Sequence, residues 1–224
     1  MSHPAFIQYP PQAAFGRTIP KIKIYDNGSV STRLKELFVK QVEQIVWQYK
    51  LAPETVHLSA RPDVPEIQIL QIQIKVPELH HDVLRCIDQA VPFPLIFELA
   101  FQDRNQVVAC YKRTSVSAAG DWAISEYFST GWLPAGTERT AMPMALHLGG
   151  LYEQLLQRLV PLAPRPQEPL VELVARASKI RSLRSEVAKT VSKLETEKQF
   201  NRKVEINSTL RKLKCDLELL GDSQ

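Results

Sequence analysis

The sequence contains few cysteines and few glycines for a chain of 224 residues. Its three cysteines, Cys86, Cys110 and Cys215, are an odd and scattered set. They predict neither a disulfide framework nor a zinc knuckle. Of the 8 glycines, only Gly149 and Gly150 are adjacent. This scarcity excludes the glycine-rich loops that hold nucleotide phosphates or dinucleotides.

Histidine clusters and long apolar runs are also absent. The adjacent His80 and His81 are expected on a helix, where their side chains would point about 100° apart, which does not suit a shared metal. Apolar runs such as residues 95–97 are far shorter than the roughly 20 residues of a membrane span. The first four residues lack the features of a signal peptide. We therefore expect a cytoplasmic protein with no metal, no cofactor and no membrane contact.

Positive charge is concentrated in the C-terminal part of the chain. The net charge is +4, and 12 Lys and Arg stand against 8 Asp and Glu from residue 171 onward, so this part carries the whole surplus. A solvent-exposed helix surface of mixed charge is one interpretation. Contact with a nucleic-acid backbone is the other, because Lys and Arg neutralise phosphates. Its candidate residues are Lys198, Arg202, Lys203, Arg211 and Lys214.

Residues 171–224 are expected to form long helix of coiled-coil character, because they contain no proline and a single glycine. Apolar residues recur at spacings of three, four and seven over 173–194, and again after a polar gap. The second series, here called the C-terminal seam, consists of Ile206, Leu210, Leu213, Leu217 and Leu220. We predict that this seam binds a helix of another protein or of a second copy. The gap near residues 199–202 favours a bend in one helix, and a helical hairpin is the alternative.

The first half of the domain shows both strand and helix patterns. Residues 21–25 alternate like a short strand, and helical spacing after the N-cap candidate Ser31 predicts a helix to about Lys50. Residues 66–75 form the clearest strand pattern. Its alternation changes phase near Leu70, which a β-bulge explains economically; burial of both faces is the rival explanation.

The second half continues the same mixture of elements. We expect a helix at 79–90, strands at 92–101, 107–113 and 122–130, and a helix from about 146 to 159. The first strand–helix–strand unit should be a parallel crossover, and the later strands an antiparallel meander. The predicted fold class is α+β, with a mixed sheet, packed helices and a long C-terminal helix or helical hairpin.

Prolines indicate where this domain begins and ends. A proline-rich arm without periodicity covers residues 1–20 and is expected to lie over a surface or to be mobile. The α+β domain follows at 21–160. A stiff proline-rich linker at 161–170 then leads to the helical extension at 171–224.

One catalytic pattern is present in weak form. Pro62-Asp63 followed by Gln73-Ile74-Lys75 resembles the layout in which nucleases hold Mg²⁺ with carboxylates and position water with a lysine. Here glutamine replaces the second carboxylate. A lysine that ends a buried strand and extends outward is the ordinary account. A degenerate magnesium-dependent nuclease using Asp63, Gln73 and Lys75 is thus the alternative to a non-enzymatic protein.

Aromatic residues near basic ones allow two interpretations. They could form a stacking platform for single-stranded nucleic acid. Packing within a half-buried sheet is the more ordinary role. The residues concerned are Tyr111, Lys112, Arg113, Trp122, Tyr127, Phe128 and Trp132.

Several short blocks together resemble a known bacterial family. The blocks are residues 23–27 with Ser31, 34–47, 91–98, 126–128 with Trp132, and 198–207. On these blocks the chain resembles the family catalogued as domain of unknown function 4391 over nearly its whole length, the proline arm excepted. The resemblance implies an accessory product encoded near helicases and DNA methyltransferases in restriction-like, phage-defence loci. The resemblance identifies no catalytic residue in this chain.

The combined prediction is a non-enzymatic accessory protein. Its expected partner is a helicase or DNA methyltransferase in a bacterial restriction-like phage-defence system, bound through the C-terminal seam. Self-association through the same helix is the other protein-binding option. Nucleic acid is a further possible partner, reached directly or through the protein partner.

Overall fold

The computed structural model describes residues 3–26, 30–114 and 122–221. The chain divides into two compact units, unit 1 (Met1–Pro161) and unit 2 (Leu162–Gln224). Unit 1 contains a mixed β-sheet with packed helices, and unit 2 contains two long helices. The predicted α+β class is therefore confirmed.

Nine strands and five helices form the described part of unit 1. The strands are β1 (His3–Gln8), β2 (Ala14–Thr18), β3 (Val42–Leu51), β4 (Ile67–Ile74), β5 (Leu95–Phe101), β6 (Arg104–Thr114), β7 (Trp122–Ser129), β8 (Leu133–Pro134) and β9 (Arg139–Ala141). The helices are α1 (Lys21–Tyr25), α2 (Thr32–Gln41), α3 (Pro53–Val56), α4 (His81–Ala90) and α5 (Leu148–Gln157).

The main sheet has the strand order β2-β3-β4-β5-β6-β7, and β8 pairs with β6 outside this order. Strands β4 and β5, joined through α4, are parallel. The following pairs β5–β6 and β6–β7 are antiparallel. The predicted parallel crossover and antiparallel meander are both present. Strands β1 and β9 form a separate parallel pair.

Apolar side chains cover both faces of the central strands. On β4, Leu70, Ile72 and Ile74 pack in one core cluster with residues of α1, α2 and α4. Ile67 and Ile69 point to the opposite face and are also buried. The β4–β5 register runs without interruption from residue 68 to residue 73. The β3–β4 register shifts opposite Ile69 and Leu70, but the extra residue lies on β3. Burial on both faces therefore explains the phase change in β4, and the predicted β-bulge within β4 is wrong.

The helix predicted from Ser31 to Lys50 is correct only in its first part. Ser31 caps α2 as expected, since its side chain accepts a hydrogen bond from the Leu34 amide at 3.3 Å. The chain then changes to strand at Val42. Register shifts between Val42 and Gln44 and between Trp47 and Tyr49 interrupt the alternation of β3. The first bulge leaves the buried Val42 and Ile45 three residues apart, which imitates a helical period.

The N-terminal residues differ from the expected arm. Residues 3–8 and 14–18 form β1 and β2, and Phe6 and Ile7 are buried. Residues 21–25 form the short helix α1 and not the predicted strand. The Lys21 ammonium donates hydrogen bonds to the carbonyls of Phe38 and Val42, so it caps the end of α2.

Unit 2 is a helical hairpin. Helix α6 (Leu170–Thr196) is followed by α7 (Phe200–Leu219), and the two helices pack against each other. The extended backbone at Glu197 and Gln199 reverses the chain without glycine or proline. The favoured single bent helix is therefore wrong, and the hairpin alternative is right.

Candidate functional site

The three residues of the nuclease pattern do not form one site. Asp63 is exposed in a turn before β4, whereas Lys75 follows the other end of that strand. Eight residues of strand separate the two by roughly 25 Å. Gln73 is half-buried near the Lys75 end, and the Lys75 ammonium donates to the Val39 carbonyl at 3.0 Å. Within residues 3–26, 30–114 and 122–221, no three His, Cys, Asp or Glu side chains are grouped to hold a metal ion.

A buried lysine is the most unusual polar residue of the sheet. Lys112 lies on β6, and its side chain is fully buried. Its ammonium donates hydrogen bonds to the carbonyls of Asp88, Val91 and Phe93, which lie at and just beyond the C-terminal end of α4. It also lies 5.0 Å from the centre of the Trp122 ring. Lys112 thus neutralises the negative end of the α4 dipole and satisfies carbonyls that the helix leaves unpaired.

Asp88, on α4, is the acidic member of the same cluster. Its Oδ2 accepts hydrogen bonds from the Tyr127 hydroxyl at 2.5 Å and from the Cys110 thiol at 3.4 Å. Its Oδ1 lies 4.0 Å from the Lys112 ammonium. Burial raises the pKa of Asp88 to about 6, opposed by the hydrogen bond from Tyr127 and the charge of Lys112. The hydroxyl of Tyr152 joins the cluster by donating to the Cys110 carbonyl and accepting from the Lys112 amide.

We call these five residues the buried polar cluster: Asp88, Cys110, Lys112, Tyr127 and Tyr152. All five are buried, so the cluster offers no surface on which a substrate could react. Its chemistry is that of a structural network, in which each charge is held by hydrogen bonds. Sequence reasoning missed it. The available signal was the alternation of strand residues. Lys112 lies two residues after Cys110 and four after Val108, so it shares their face of β6.

A partly buried ion pair links the two sheets of unit 1. Glu98 of β5 accepts hydrogen bonds from both terminal nitrogens of Arg139 on β9, at 2.8 and 2.7 Å. Arg139 also donates to the Ile7 carbonyl of β1 at 2.7 Å and lies 4.2 Å from the Phe6 ring centre. The hydrogen-bonded carboxylate raises the pKa of Arg139. This contact holds the β1–β9 pair against the central sheet.

The predicted aromatic platform is a packing arrangement. Tyr127 and Phe128 are buried, and Lys112 is enclosed beneath Trp122. Trp132 packs against the main core cluster, 6.3 Å from the ring of Phe101. These side chains are therefore not free to stack on nucleic-acid bases, and the packing interpretation is right for them.

The C-terminal seam is covered in part by the chain itself. Leu213, Leu217 and Leu220 pack in one cluster with Ile180, Leu183 and neighbouring residues of unit 2. Leu210 is buried and Ile206 is half-buried. The helix that covers this end of the seam is α6, where we expected a partner helix.

The five basic candidates of the C-terminal region are all exposed. Lys198 and Arg202 lie at the turn of the hairpin, where Arg202 is 4.0 Å from the Glu197 carboxylate. Lys203, Arg211 and Lys214 lie along α7. Phe200, the first residue of α7, is 77% exposed. Sequence reasoning did not select this aromatic residue, because it lies in the polar gap of the heptad pattern.

Unit 1 carries an apolar groove that the periodicity analysis did not reveal. The groove has a volume of about 670 Å³ and lies beside the loop between β9 and α5. Met144 and Leu146 in this loop are 95% and 93% exposed. The lining residues are Val56, Leu58, Met142, Pro143, Met144, Ala145, Leu146, His147, Gly150 and Gln154. The signal in the sequence was the apolar run at residues 141–146, which precedes the predicted helix except for Leu146; the helix itself begins only at Leu148.

Two neighbouring polar groups hold the shape of this groove. His147 caps α5, since its Nδ1 accepts a hydrogen bond from the Gly150 amide at 2.9 Å. The Gln154 side chain donates to the Met144 carbonyl at 2.9 Å. The loop backbone is thus anchored to α5, while two large apolar side chains point outward. In the described part of the chain, no helix is both long and apolar enough to cross a membrane.

Comparison with known proteins gives one match. The family model described as domain of unknown function (DUF4391) matches residues 7–217. No curated protein and no solved structure matches the chain.

Proposed function

Because the chain belongs to the family described as domain of unknown function (DUF4391), we propose that it is a non-enzymatic accessory subunit that docks onto a larger DNA-acting enzyme. The partner is a helicase or DNA methyltransferase of a bacterial restriction-like phage-defence system. This choice of partner rests on the loci near helicases and DNA methyltransferases that the family resemblance implies. The apolar groove supports docking as the mode of action.

The exposure of Met144 and Leu146 is the observation that carries the proposal. Both side chains are almost fully exposed. Large apolar side chains grouped at a surface are typical of protein–protein contact sites. Fully burying each would contribute roughly 1.5–3 kcal/mol to binding, before the costs of association. Methionine adapts its shape to a partner, because its side chain is unbranched and has three rotatable bonds.

The lining of the groove indicates which kind of segment it takes. His147 and Gln154 are its two polar side chains, and both already make hydrogen bonds within unit 1. A volume of about 670 Å³ accommodates several apolar side chains. An amphipathic helix of the partner supplies such side chains from one face. We therefore propose that the groove receives a helix of the larger enzyme.

The groove of unit 1 replaces the C-terminal seam as the surface proposed for the partner. Leu213, Leu217 and Leu220 of the C-terminal seam already contact unit 2 residues. Removing them from that packing would expose both helices of the hairpin. The groove can be covered without the loss of any existing contact.

Co-expression with the helicase or methyltransferase encoded beside the gene tests the proposal. We expect a stable complex in size-exclusion chromatography with light scattering, and its loss in the Met144→Asp/Leu146→Asp variant. Val39→Asp is the matched control, since Val39 is an exposed apolar residue, at 62%, on α2. Failure of the wild-type chain to bind either enzyme would refute the partner assignment. Equal loss of binding in the control would refute the groove as the docking site.

A further inference from the structure

One face of α7 combines basic side chains, an exposed aromatic ring and an amide. At about 100° per residue, six positions between Phe200 and Lys214 fall within an arc of about 100°, and the exposed Glu218 continues the same arc one turn beyond Lys214. All six are exposed. We call them the basic face: Phe200, Lys203, Val204, Asn207, Arg211 and Lys214.

The basic face carries no negative charge between Phe200 and Lys214, and Glu218, four residues after Lys214, is the acidic residue at its end. Between Phe200 and Lys214, the acidic residue of α7 is Glu205, which points about 150° away from the centre of the arc. The positions of the C-terminal seam lie outside the arc, except that Leu210 borders it. Three cations along roughly 20 Å of helix thus remain accessible to solvent.

The turn of the hairpin adds further cations next to Phe200. Lys193, Lys198 and Arg202 line a shallow cleft of about 470 Å³ together with Glu197 and neighbouring residues. The Glu197 carboxylate accepts hydrogen bonds from the amides of Lys198 and Gln199, at 2.7 and 2.9 Å. These hydrogen bonds lower the pKa of Glu197. Glu197 therefore stays ionised, and the three cations Lys193, Lys198 and Arg202 outnumber its single negative charge in the cleft.

We propose that the basic face binds single-stranded nucleic acid, with phosphates on Lys203, Arg211 and Lys214 and a base stacked on Phe200. Cations spaced along a helix neutralise successive phosphates of one strand. An exposed aromatic ring stacks on any base, because every base has a π-face. The Asn207 amide lies between these groups and can donate to a phosphate or a base edge. The exposed ring distinguishes this surface from a purely charged helix face.

A single strand suits the surface better than an acidic peptide or an anionic membrane. Carboxylates of a peptide would pair with the lysines but leave the Phe200 ring without a planar partner. A membrane-binding helix needs a broad apolar face beside its basic one. On the basic face only Phe200 and Val204 are apolar, and both lie at its N-terminal end.

Fluorescence anisotropy with a labelled 20-nucleotide thymidine strand tests the proposal in the full chain. Three phosphate contacts predict that a rise from 50 to 200 mM NaCl weakens binding roughly 15- to 20-fold. The Lys203→Glu/Lys214→Glu variant should bind at least about tenfold more weakly at 50 mM NaCl. Phe200→Ala should lose roughly 5- to 100-fold for the single strand. A 20-base-pair duplex should be much less affected by Phe200→Ala, since its bases are already stacked.

Matched controls separate this face from the general positive charge of unit 2. Lys179→Glu/Lys212→Glu makes the same charge change at exposed positions of α6 and of the other side of α7. Leu219→Ala is the control for removal of an exposed apolar side chain, at 74% exposure. Both controls should keep wild-type affinity for the strand. Uridine strands and vesicles of phosphatidylserine and phosphatidylcholine complete the set of ligands.

Three outcomes would overturn the proposal. They are the absence of salt-dependent binding to either strand, equal loss in the face and control variants, and binding to vesicles alone. If the uridine strand binds and the thymidine strand does not, the proposal holds and RNA is the ligand. Circular dichroism at 222 nm should be unchanged in every variant, because all substituted residues are exposed.

Discussion

At the scale of single residues, the buried charges of unit 1 are the most sensitive points of the fold. Lys112 and Asp88 have fully buried side chains, and each is held by hydrogen bonds to backbone or side-chain groups. Moving a charge from water into an apolar interior is unfavourable unless such partners replace the lost hydration. The raised pKa of Asp88, about 6 against an ordinary 3.8, reflects the part of this cost that remains.

The pKa of Asp88 predicts a specific dependence of stability on pH. A carboxyl with a higher pKa in the folded chain than in the unfolded chain stabilises the fold when protonated. That contribution is full below about pH 4 and is lost as the pH rises through 6. Asp88→Asn removes this titration. We expect the free energy of unfolding of the wild type, relative to the variant, to fall by on the order of 2–3 kcal/mol between pH 4 and 7.

Urea unfolding followed by circular dichroism at several pH values measures this difference. Asp82→Asn is the control, because it makes the same substitution at an exposed position of the same helix, outside the buried polar cluster. The other four titratable members of the cluster are present in both chains: Cys110, Lys112, Tyr127 and Tyr152. A flat difference between wild type and Asp88→Asn from pH 4 to 7 would contradict the assignment.

At the scale of elements, β1 is a structural strand of unit 1. Phe6 is 1% exposed and its ring lies against the Arg139 guanidinium, which in turn holds Glu98 of β5. Through these contacts, residues near the N-terminus complete the packing of a sheet formed much later in the chain. The proline content of this region indicates extended backbone but does not distinguish a paired strand from an unpaired arm.

Phe6→Ala should therefore destabilise the protein strongly. Loss of a buried aromatic ring typically costs about 3–5 kcal/mol, because the removed contacts leave a cavity. The same substitution at Phe200, which is 77% exposed, should change the free energy of unfolding by less than about 0.5 kcal/mol. Urea midpoints of the two variants give the comparison. Similar small effects for both would show that β1 does not contribute to the core.

At the scale of the whole molecule, two surfaces with different chemistry lie on different units. The apolar groove with Met144 and Leu146 belongs to unit 1, and the basic face of α7 belongs to unit 2. Apolar contacts depend weakly on salt, whereas phosphate contacts weaken steeply as salt is added. The two proposed activities should therefore respond differently to both mutation and ionic strength.

We expect the two activities to be separable by substitution. Met144→Asp/Leu146→Asp should abolish the complex with the larger enzyme and leave single-strand affinity within about twofold, because no cation of α7 is changed. Lys203→Glu/Lys214→Glu should weaken strand binding and leave the protein complex intact at 300 mM NaCl. Chromatography and anisotropy on the same preparations provide both readouts. Loss of both activities in either variant would indicate one shared surface.

Much of the secondary structure follows from local signals. The strands β4 to β7, the helices α4 and α5 and the helical character of residues 170–219 match the predicted patterns, with shifted ends. The errors have identifiable causes. Bulges in β3 gave a helix-like spacing, and the five residues of α1 are too few for any period to be distinguished. The turn at residues 197–199 uses extended backbone at ordinary residues, so it carries no glycine or proline signal.

The candidate sites were less accessible to sequence reasoning. The basic residues of α7 were identified from charge alone, but their arrangement with Phe200 required the start of the helix to be known. Asp63 and Lys75 were grouped by a motif, although a whole strand separates them. Alternation along β6 could place Lys112 on the buried face, but no sequence spacing shows which residues of α4, β7 and α5 meet it there.

The sequence by itself determined the class of fold, the strands β4 to β7 of the main sheet and the excess of positive charge in the last 54 residues. These properties depend on local periodicity and composition. Tertiary structure alone decided that α6 covers the seam of α7, that Lys112 caps α4 and that Met144 and Leu146 remain uncovered. Each of these three features depends on which residues distant in the sequence come into contact. The same kinds of side chain can form either a buried contact or an exposed patch, so composition does not distinguish the two.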